Sequence, residues 1–121
     1  MALSALAESI YQILRVRVPA EDPTIFYRDL VDELGSLPPP NQGLQPHDRR
    51  LFAALGEVGR ACRTAGLPAL SSIVVAKESG VPGMGYYTDH HPQARSEEAR
   101  FVAWRSEFNV AKTTTYPSDL A

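Results

Sequence analysis

The sequence predicts a single α+β domain that is mainly helical and carries a small β-hairpin. Helical spacing of apolar residues dominates the chain, one apolar β-branched run stands near residue 74, and a glycine-rich loop follows that run. The chain has 121 residues, 44% of them hydrophobic, which suffices for one core without disulfides. We expect the domain to span residues 1–111 and residues 112–121 to form a flexible C-terminal tail.

Two helices and a short strand are predicted in the first third of the chain. Apolar residues at helical spacing predict an amphipathic helix over residues 4–17, with Ser4 as its N-cap. A very short strand is expected at residues 24–26, followed by a helix over residues 27–34. Gly35 is expected to end that helix in the left-handed conformation.

Proline and glycine shape the middle of the chain. Residues 36–45 contain three consecutive prolines and predict a loop. Pro46 is expected to open a longer helix that ends near Gly66, because proline fits the first helical position. Gly56 and Gly59 lie inside this helix, where each glycine costs about 1 kcal/mol relative to alanine. They indicate either a break into two helices or a close approach by another group.

A β-hairpin is predicted in the second half of the chain. The apolar, β-branched run predicts a strand over residues 71–77, a turn over residues 78–85 and a return strand over residues 84–88. Side chains alternate across a strand, so we expect one of Tyr86 and Tyr87 to be buried and the other to be exposed.

A last helix is predicted to begin after Ser96, which supplies a hydroxyl cap to an acidic first turn. Some of its apolar residues are expected to face the core: Ala99, Val102 and either Trp104 or Phe108. Charges of both signs line this helix, Glu107 among them, and this pattern is typical of solvent-exposed ion pairs.

The order of these elements is that of a winged-helix domain, and two segments carry a resemblance to a known family. Residues 26–31, FYRDLV, are similar to the TYGELA or TYGDIA segment in the C-terminal domain of the O6-alkylguanine-DNA alkyltransferases and their alkyltransferase-like relatives. Residues 67–75, LPALSSIVV, lie where that family carries its PCHRVV segment. The helix between the two segments occupies the place of the family's DNA-recognition helix.

Residues 66–86 also resemble a group of small bacterial proteins whose shared segment is GLPPLSALVVNKxTGLPGxGF. The departures from the alkyltransferases are informative. Ser71 and Ser72 stand where that family carries its alkyl-accepting cysteine and the histidine after it. A serine hydroxyl is far less acidic than a thiol and needs activation to act as an acceptor. Cys62 is expected to be a small buried hydrophobe. The resemblance therefore implies DNA binding without alkyl transfer, and we expect no enzymatic activity.

The glycine loop from Gly80 to Gly85 admits three interpretations: a structural hairpin, a wing that contacts nucleic acid or another partner, and a phosphate cradle. Pro82 removes one backbone donor, and a strand rather than a helix is expected to follow, so the cradle is the least favoured of the three. In the wing interpretation Lys77, at the base of the loop, is a natural phosphate contact.

Three arginines, Arg49, Arg60 and Arg63, can face outward together from the long helix, while Arg50 lies beside its apolar stripe. Such a face suits a helix laid in a DNA groove, and a solvated helix face is the alternative. The candidate nucleic-acid-binding residues are therefore Arg49, Arg60, Arg63, Lys77, Gly80, Gly83, Gly85 and Tyr86.

No cofactor or metal site is expected. Asp89, His90 and His91 are adjacent in a predicted loop over residues 88–92, and neighbouring loop residues rarely converge on one metal without help from elsewhere. Surface histidines are the preferred interpretation. The two adjacent serines lack a nucleophile-elbow motif and a base nearby in the sequence, so a hydrolase is not favoured.

The overall charge limits the partners of the protein. A net charge of −2 gives no general attraction to nucleic acid, so any basic face must be local. One cysteine and no recognisable signal peptide predict a cytoplasmic protein, and no stretch is long enough to span a membrane. We expect a module that binds nucleic acid, with DNA as its ligand. The alternative is a protein-interaction or immunity-type adaptor that does not bind nucleic acid. An enzyme whose site the sequence does not reveal is a third, weaker hypothesis.

Overall fold

Helices dominate the computed structural model, which describes residues 3–38, 41 and 43–120. Within these residues there are five α-helices, two very short strands and one 3-10 helix at Leu70–Ile73. The elements follow the order α1 (Ala5–Arg17), β1 (Ile25–Phe26), α2 (Tyr27–Gly35), α3 (Arg49–Thr64), β2 (Val74–Val75), α4 (Met84–His90) and α5 (Glu97–Lys112). None of the helices in the described residues is both long and apolar enough to cross a membrane.

Helix α3 lies at the centre of the fold. It packs against α1, against the Leu70–Ile73 helix and against α4. Its apolar stripe, which includes Leu51, Val58 and Cys62, is buried in the hydrophobic core. Cys62 is a buried free thiol, as the sequence predicts, and burial raises its pKa to about 11.

The two strands form a parallel pair, in which Ile25 lies opposite Val74 and Phe26 lies opposite Val75. The prediction of a mainly helical domain with a small sheet is confirmed. The β-hairpin wing is wrong, because the segment predicted as the return strand is α4. The predicted strand over residues 71–77 is correspondingly reduced to β2 and the 3-10 helix before it.

The physical reason for α4 lies in its buried side chains. Tyr86, Tyr87 and His90 are all buried, a one-sided spacing that a helix provides and a strand does not. The expectation that one of the two tyrosines would be exposed is therefore wrong. Residues 88–90, predicted as loop, belong to the same helix.

The predicted helix boundaries are mostly right, with two corrections. Ser4 and Ser96 cap α1 and α5 as expected, since their side chains accept hydrogen bonds from Ala7 N and Ala99 N. Gly35 is the last residue of α2 and does not adopt a positive φ. At the start of α3, Pro46 lies outside the helix.

Asp48 caps α3 instead, and Gly66, with φ of 79°, follows the end of that helix. Within the predicted loop over residues 36–45, Pro39, Pro40 and Gln42 lie outside the described residues.

Helix α5 buries Trp104 and Phe108, and the indole Nε1 of Trp104 donates to the carbonyl oxygen of Ser72 at 2.8 Å. Ala99 and Val102 are exposed, contrary to expectation. The segment after Lys112, predicted to be a flexible tail, returns to the body of the protein.

In that segment Tyr116 is buried, and its hydroxyl donates to the carbonyl oxygen of Pro68 at 2.7 Å. The hydroxyl of Tyr11 donates to the carbonyl oxygen of Pro117. These contacts join the segment to α1 and to the chain between α3 and the 3-10 helix.

Candidate functional site

A cavity of about 270 Å³ lies between α3, α4 and the first residue of α2. We call it the α3–α4 cavity. It is mostly apolar, and a few polar groups reach its inner end. The residues that matter below are Tyr27, Phe52, Gly56, Ser71, Tyr86 and His90. The ring of Tyr27 meets that of Phe52 edge to face, with centroids 5.7 Å apart. Its hydroxyl accepts a hydrogen bond from Gly83 N at 2.9 Å, which ties the start of α2 to the loop before α4.

Gly59 allows α4 to approach α3. A Cβ atom at this position would lie 2.4 Å from His90 Nε2 and 2.9 Å from Ser71 Oγ. A side chain larger than hydrogen therefore cannot coexist with the observed placement of His90. Helix α3 continues unbroken through Gly56 and Gly59, so of the two alternatives the close approach is confirmed.

The imidazole of His90 is held by Arg63. The guanidinium Nε of Arg63 donates to His90 Nδ1 at 2.6 Å. An arginine guanidinium remains protonated in proteins, so Nδ1 is the acceptor and Nε2 carries the proton of the neutral ring. Burial lowers the pKa of His90, and the positive charge of Arg63 lowers it further. A neutral imidazole thus presents Nε2–H toward Gly59 and Ser71.

Glu107 anchors Arg63 from the other side. One carboxylate oxygen of Glu107 accepts from Arg63 Nη2 at 3.0 Å and from the backbone N of Ala69 at 2.9 Å. The other oxygen accepts from the hydroxyl of Tyr86 and lies 3.0 Å from His91 Nε2. Burial tends to raise the pKa of Glu107, but these hydrogen bonds and the charge of Arg63 outweigh it and hold the pKa below its usual value. The prediction that Glu107 forms solvated surface pairs is wrong.

Ser71 is buried, and its Oγ has no hydrogen-bond partner among the described residues; the same holds for Ser72. A hydroxyl with no partner is uncommon at such burial and marks a position where a ligand or water can bind. Ser71 Oγ and His90 Nε2 face the same small space beside Gly59. The sequence had offered no base near Ser71, and the fold brings an imidazole to it.

This serine and histidine are not arranged for nucleophilic attack. In a hydrolytic triad a carboxylate accepts a hydrogen bond from the N–H of the outer imidazole nitrogen, which leaves the inner nitrogen free to accept the serine proton. Here an arginine donates to the outer nitrogen, so the inner nitrogen of His90 is already protonated. If the His90 ring gained a positive charge during such an attack, the charge of Arg63 would also repel it. The arrangement donates hydrogen bonds into the α3–α4 cavity.

The predicted arginines lie along one exposed face of α3. Arg49, Arg60 and Arg63 are all exposed at least in part, and Phe52 and Gly56 stand between them on the same face. Arg60 pairs with Asp89 at 3.3 Å. Arg49 makes no ion pair with any described residue. We call positions 49, 52, 56 and 60 the α3 face.

The glycine loop is divided between two environments. Gly80 has φ of 72° and occupies an exposed turn in which Gly80 N donates to the carbonyl oxygen of Ala76 at 2.8 Å. Lys77 is also exposed in this turn. Other predicted site residues, Gly83, Gly85 and Tyr86, instead line the α3–α4 cavity. Of the predicted wing residues, only Gly83, Gly85 and Tyr86 therefore line the cavity beside the α3 face.

The three histidines lie in different environments. His90 and His91 are held by Arg63 and Glu107, so the interpretation as surface histidines is wrong for both, whereas His47 is exposed. No three carboxylate, imidazole or thiol groups within the described ranges come together as metal ligands.

Comparison with known proteins gives no match. The chain fits no protein-family model, and neither a curated protein nor a solved structure shows significant similarity to it.

Proposed function

We propose that the protein is a non-catalytic nucleic-acid-binding module, in which α3 takes the role of the recognition helix. The α3 face would lie along the sugar–phosphate backbone, and the α3–α4 cavity would hold one base that has left the stack. The observation that carries this proposal is the position of the cavity. Phe52 and Gly56 line it, Phe52 is exposed, and both stand between Arg49 and Arg60 on the same helix face.

The composition of the cavity favours a base. Tyr27, Phe52 and Tyr86 supply aromatic surface, and stacking on aromatic side chains is a general means of holding an unpaired base. Proteins that extrude a base place it in a pocket that combines such surface with a few hydrogen-bonding groups. Ser71 and His90 provide these groups at the inner end. A volume of about 270 Å³ is close to the lower limit of ligand pockets, roughly 300 Å³, and suits one ring system.

The arrangement of the polar groups favours binding without reaction. Ser71 stands where the resembling alkyltransferases carry their reactive cysteine, and the tautomer of His90 supplies no base for it. The one cysteine of the chain, Cys62, is buried with a raised pKa, so it is a poor nucleophile. A single free thiol also suits the cytoplasm, which we propose as the location of the protein.

Binding should depend on salt if arginines contact phosphates. We expect fluorescence anisotropy to give an affinity for single- or double-stranded DNA that falls as salt rises from about 50 to 200 mM. Arg49→Ala should reduce the slope of log K against log salt by about 1. Arg95→Ala, at an exposed position outside α3, is the matched control and should leave the slope unchanged. Absence of binding to DNA and RNA at low salt would refute the proposal.

The cavity should distinguish an unpaired base from a paired one. We expect tighter binding to a duplex with one mismatch than to the fully paired duplex, because the mismatched base costs less to extrude. Phe52→Ala should remove this preference and weaken binding to single strands by about 1–3 kcal/mol, with the salt slope unchanged. Equal affinity for both duplexes would remove the base-binding role of the cavity and leave only the contacts of α3 with the sugar–phosphate backbone.

A second candidate function is protein interaction, and one observation favours it. Met84 lines both the α3–α4 cavity and a second groove, which also contains Phe101 of α5. Met84, Phe101 and Phe52 are all exposed and apolar, and such side chains are common at protein interfaces. Tyr86 and Tyr87 are buried and are not available for this role.

Met84→Glu separates the two candidates. If the protein acts as an adaptor, a reproducibly captured partner should be lost with this variant. In that case neither the variant nor the wild type should bind nucleic acid with the salt dependence described above.

A further inference from the structure

The inner end of the α3–α4 cavity has a fixed hydrogen-bond polarity. Arg63 Nε donates to His90 Nδ1 at 2.6 Å, which leaves the proton of the neutral imidazole on Nε2. The His90 ring bonds to described residues only through Nδ1, and Nε2 faces the space beside Gly59 that Ser71 Oγ also faces. Ser71 is 93% buried, since only 7% of its surface is exposed. The cavity therefore ends in one obligatory donor and one unpartnered hydroxyl.

We infer that Arg63 is a specificity-determining residue: by fixing the tautomer of His90, it makes the cavity select an uncharged ring whose edge presents a hydrogen-bond acceptor. The inference rests on the proposed function in placing a flat ring in this cavity. It adds the chemical class of ring and the residue that decides it.

The selection follows from the cost of an unpaired donor. A ring with an acceptor at its edge satisfies Nε2–H of His90 and can also accept from the Ser71 hydroxyl, which rotates freely. A ring that carries only an N–H at that edge can donate to Ser71 Oγ, but it leaves Nε2–H of His90 covered and without an acceptor. Burial of an unsatisfied donor outweighs the gain from a typical hydrogen bond.

Glu107 stabilises the hydrogen bond that Arg63 donates to His90. It holds Arg63 Nη2 at 3.0 Å, and its own position is fixed by the backbone of Ala69 and the hydroxyl of Tyr86. Helix α5 thus supplies the carboxylate, α3 the guanidinium and α4 the imidazole. Reversal of the tautomer would require Arg63 to leave Nδ1, and Glu107 opposes that movement.

The preference for an uncharged ring follows from the remaining lining. Asp89, the carboxylate among the lining residues, pairs with Arg60 of the α3 face at 3.3 Å, and both side chains are partly exposed. The rest of the lining is largely apolar, and an ion transferred there would lose its hydration without a free counter-charge. A neutral heteroaromatic ring avoids this cost.

Side-chain NMR and two small rings test the inference. Histidine ring nitrogen shifts at pH 7.5 should identify His90 as protonated at Nε2 only. Quinoline offers a ring acceptor, is neutral at this pH, and should bind the wild-type cavity roughly 10-fold more tightly than indole, which offers only an N–H donor. The affinities come from amide shifts of cavity residues during titration with each compound.

Arg63→Leu should release the tautomer and reduce the preference for quinoline to about 2-fold or less. Arg95→Leu, which removes an exposed arginine that does not line the cavity, is the matched control and should retain the wild-type preference. His90→Phe keeps an aromatic ring but removes the donor, so it should also abolish the preference. It tests the same point if Arg63→Leu fails to fold.

The inference is overturned if His90 carries its proton on Nδ1, if the wild type binds the two rings equally or not at all, or if neither Arg63→Leu nor His90→Phe changes the preference. The proposed function fails separately. Selection of quinoline that depends on Arg63, without binding to any oligonucleotide, would leave the inference standing and remove nucleic acid as the ligand. Salt-dependent oligonucleotide binding without ring selection would do the reverse.

Discussion

At the scale of single residues, the two glycines of α3 have different roles although both lie on the side of the helix near α4. A Cβ at Gly59 would meet the buried ring of His90 and the Ser71 hydroxyl. A Cβ at Gly56 would meet only the ends of the Arg60 and Asp89 side chains, at 2.9 and 3.0 Å. The first contact cannot be relieved without moving packed groups, whereas the second needs only a change in two partly exposed side chains.

We therefore expect opposite effects from the two alanine substitutions. Gly59→Ala should lower the free energy of unfolding by roughly 1–2 kcal/mol, because overpacking outweighs the gain in helix propensity. Gly56→Ala should raise it by up to about 1 kcal/mol. Urea denaturation monitored by circular dichroism measures both. A stabilised Gly59→Ala variant would show that His90 can leave its observed position at little cost.

The buried imidazole predicts a pH dependence of stability. Burial and the charge of Arg63 lower the pKa of His90, while Glu107 and Asp89 oppose this shift and His91 adds to it. Below a pH of about 6.5, the imidazole of His90 is protonated in the unfolded chain but stays neutral in the folded protein. The free energy of unfolding should be independent of this group above a pH of about 6.5 and should fall as the pH decreases toward the lowered pKa.

Denaturation at a series of pH values from about 7.5 to 5 tests this dependence in three proteins: the wild type, His90→Gln, and His47→Gln as the exposed-histidine control. His90→Gln should flatten the decline, and His47→Gln should not. The pKa of Glu107 is also lowered, so its own contribution is lost only at more acidic pH, below about 4.3. An unchanged decline in His90→Gln would assign it to another group.

The sequence identifies some site residues and misses others for a definite reason. Gly56 and Gly59 are conspicuous because glycine is unfavourable inside a helix, and Ser71 is conspicuous only through the expected resemblance to the alkyltransferases. His90 and Glu107 carry no comparable local signal. Their partner is Arg63, which lies 27 and 44 positions away along the chain, so only the fold brings these three groups together.

At the scale of elements, the predictions are best where a helix is long and has a capping residue. Helix α5 is an example: the Ser96 side chain accepts from Ala99 N at 3.0 Å, and the first turn is acidic. This cap was identified from the sequence. It fixes the start of the helix that supplies Glu107 to the site.

Loss of this cap should be measurable. We expect Ser96→Ala to lower the free energy of unfolding by about 1 kcal/mol, because an orphan backbone donor loses its acceptor. Ser106→Ala, at an exposed position within the same helix, should change it by less than about 0.5 kcal/mol. Equal effects in thermal or urea denaturation would mean that the α5 terminus is not limiting for stability.

Helix α4 is the element whose secondary structure the sequence predicts wrongly. Helix α4 spans only Met84–His90, and the sequence Gly-Tyr-Tyr-Thr within it is compatible with a β-strand by composition. Seven residues are too few for periodicity to separate the two structures. What decides for the helix is burial of Tyr86, Tyr87 and His90 on one side, where α4 packs against α3 and the Tyr86 hydroxyl donates to Glu107 of α5.

At the scale of the whole molecule, the C-terminal segment closes the fold. Tyr116 is buried, and its hydroxyl donates a hydrogen bond to the carbonyl oxygen of Pro68. The hydroxyl of Tyr11 donates a hydrogen bond to the carbonyl oxygen of Pro117. We expect Tyr116→Ala to lower the free energy of unfolding by about 3 kcal/mol, as the loss of a buried aromatic ring generally does. Tyr116→Phe should lower it by only about 1 kcal/mol, because it removes the hydrogen bond and keeps the ring. A Tyr116→Ala variant as stable as the wild type would restore the prediction of a flexible tail.

The sequence by itself determines the helices α1, α2, α3 and α5, the first short strand, and the burial of Cys62, because periodicity, caps and composition are local properties. The tertiary structure alone decides the parallel pairing of β1 with β2, the helical state of α4 and the position of the last residues. It also decides the chemistry of the α3–α4 cavity. Arg63 has the same charge in any setting, but only burial between Glu107 and His90 lets it fix the tautomer of a histidine.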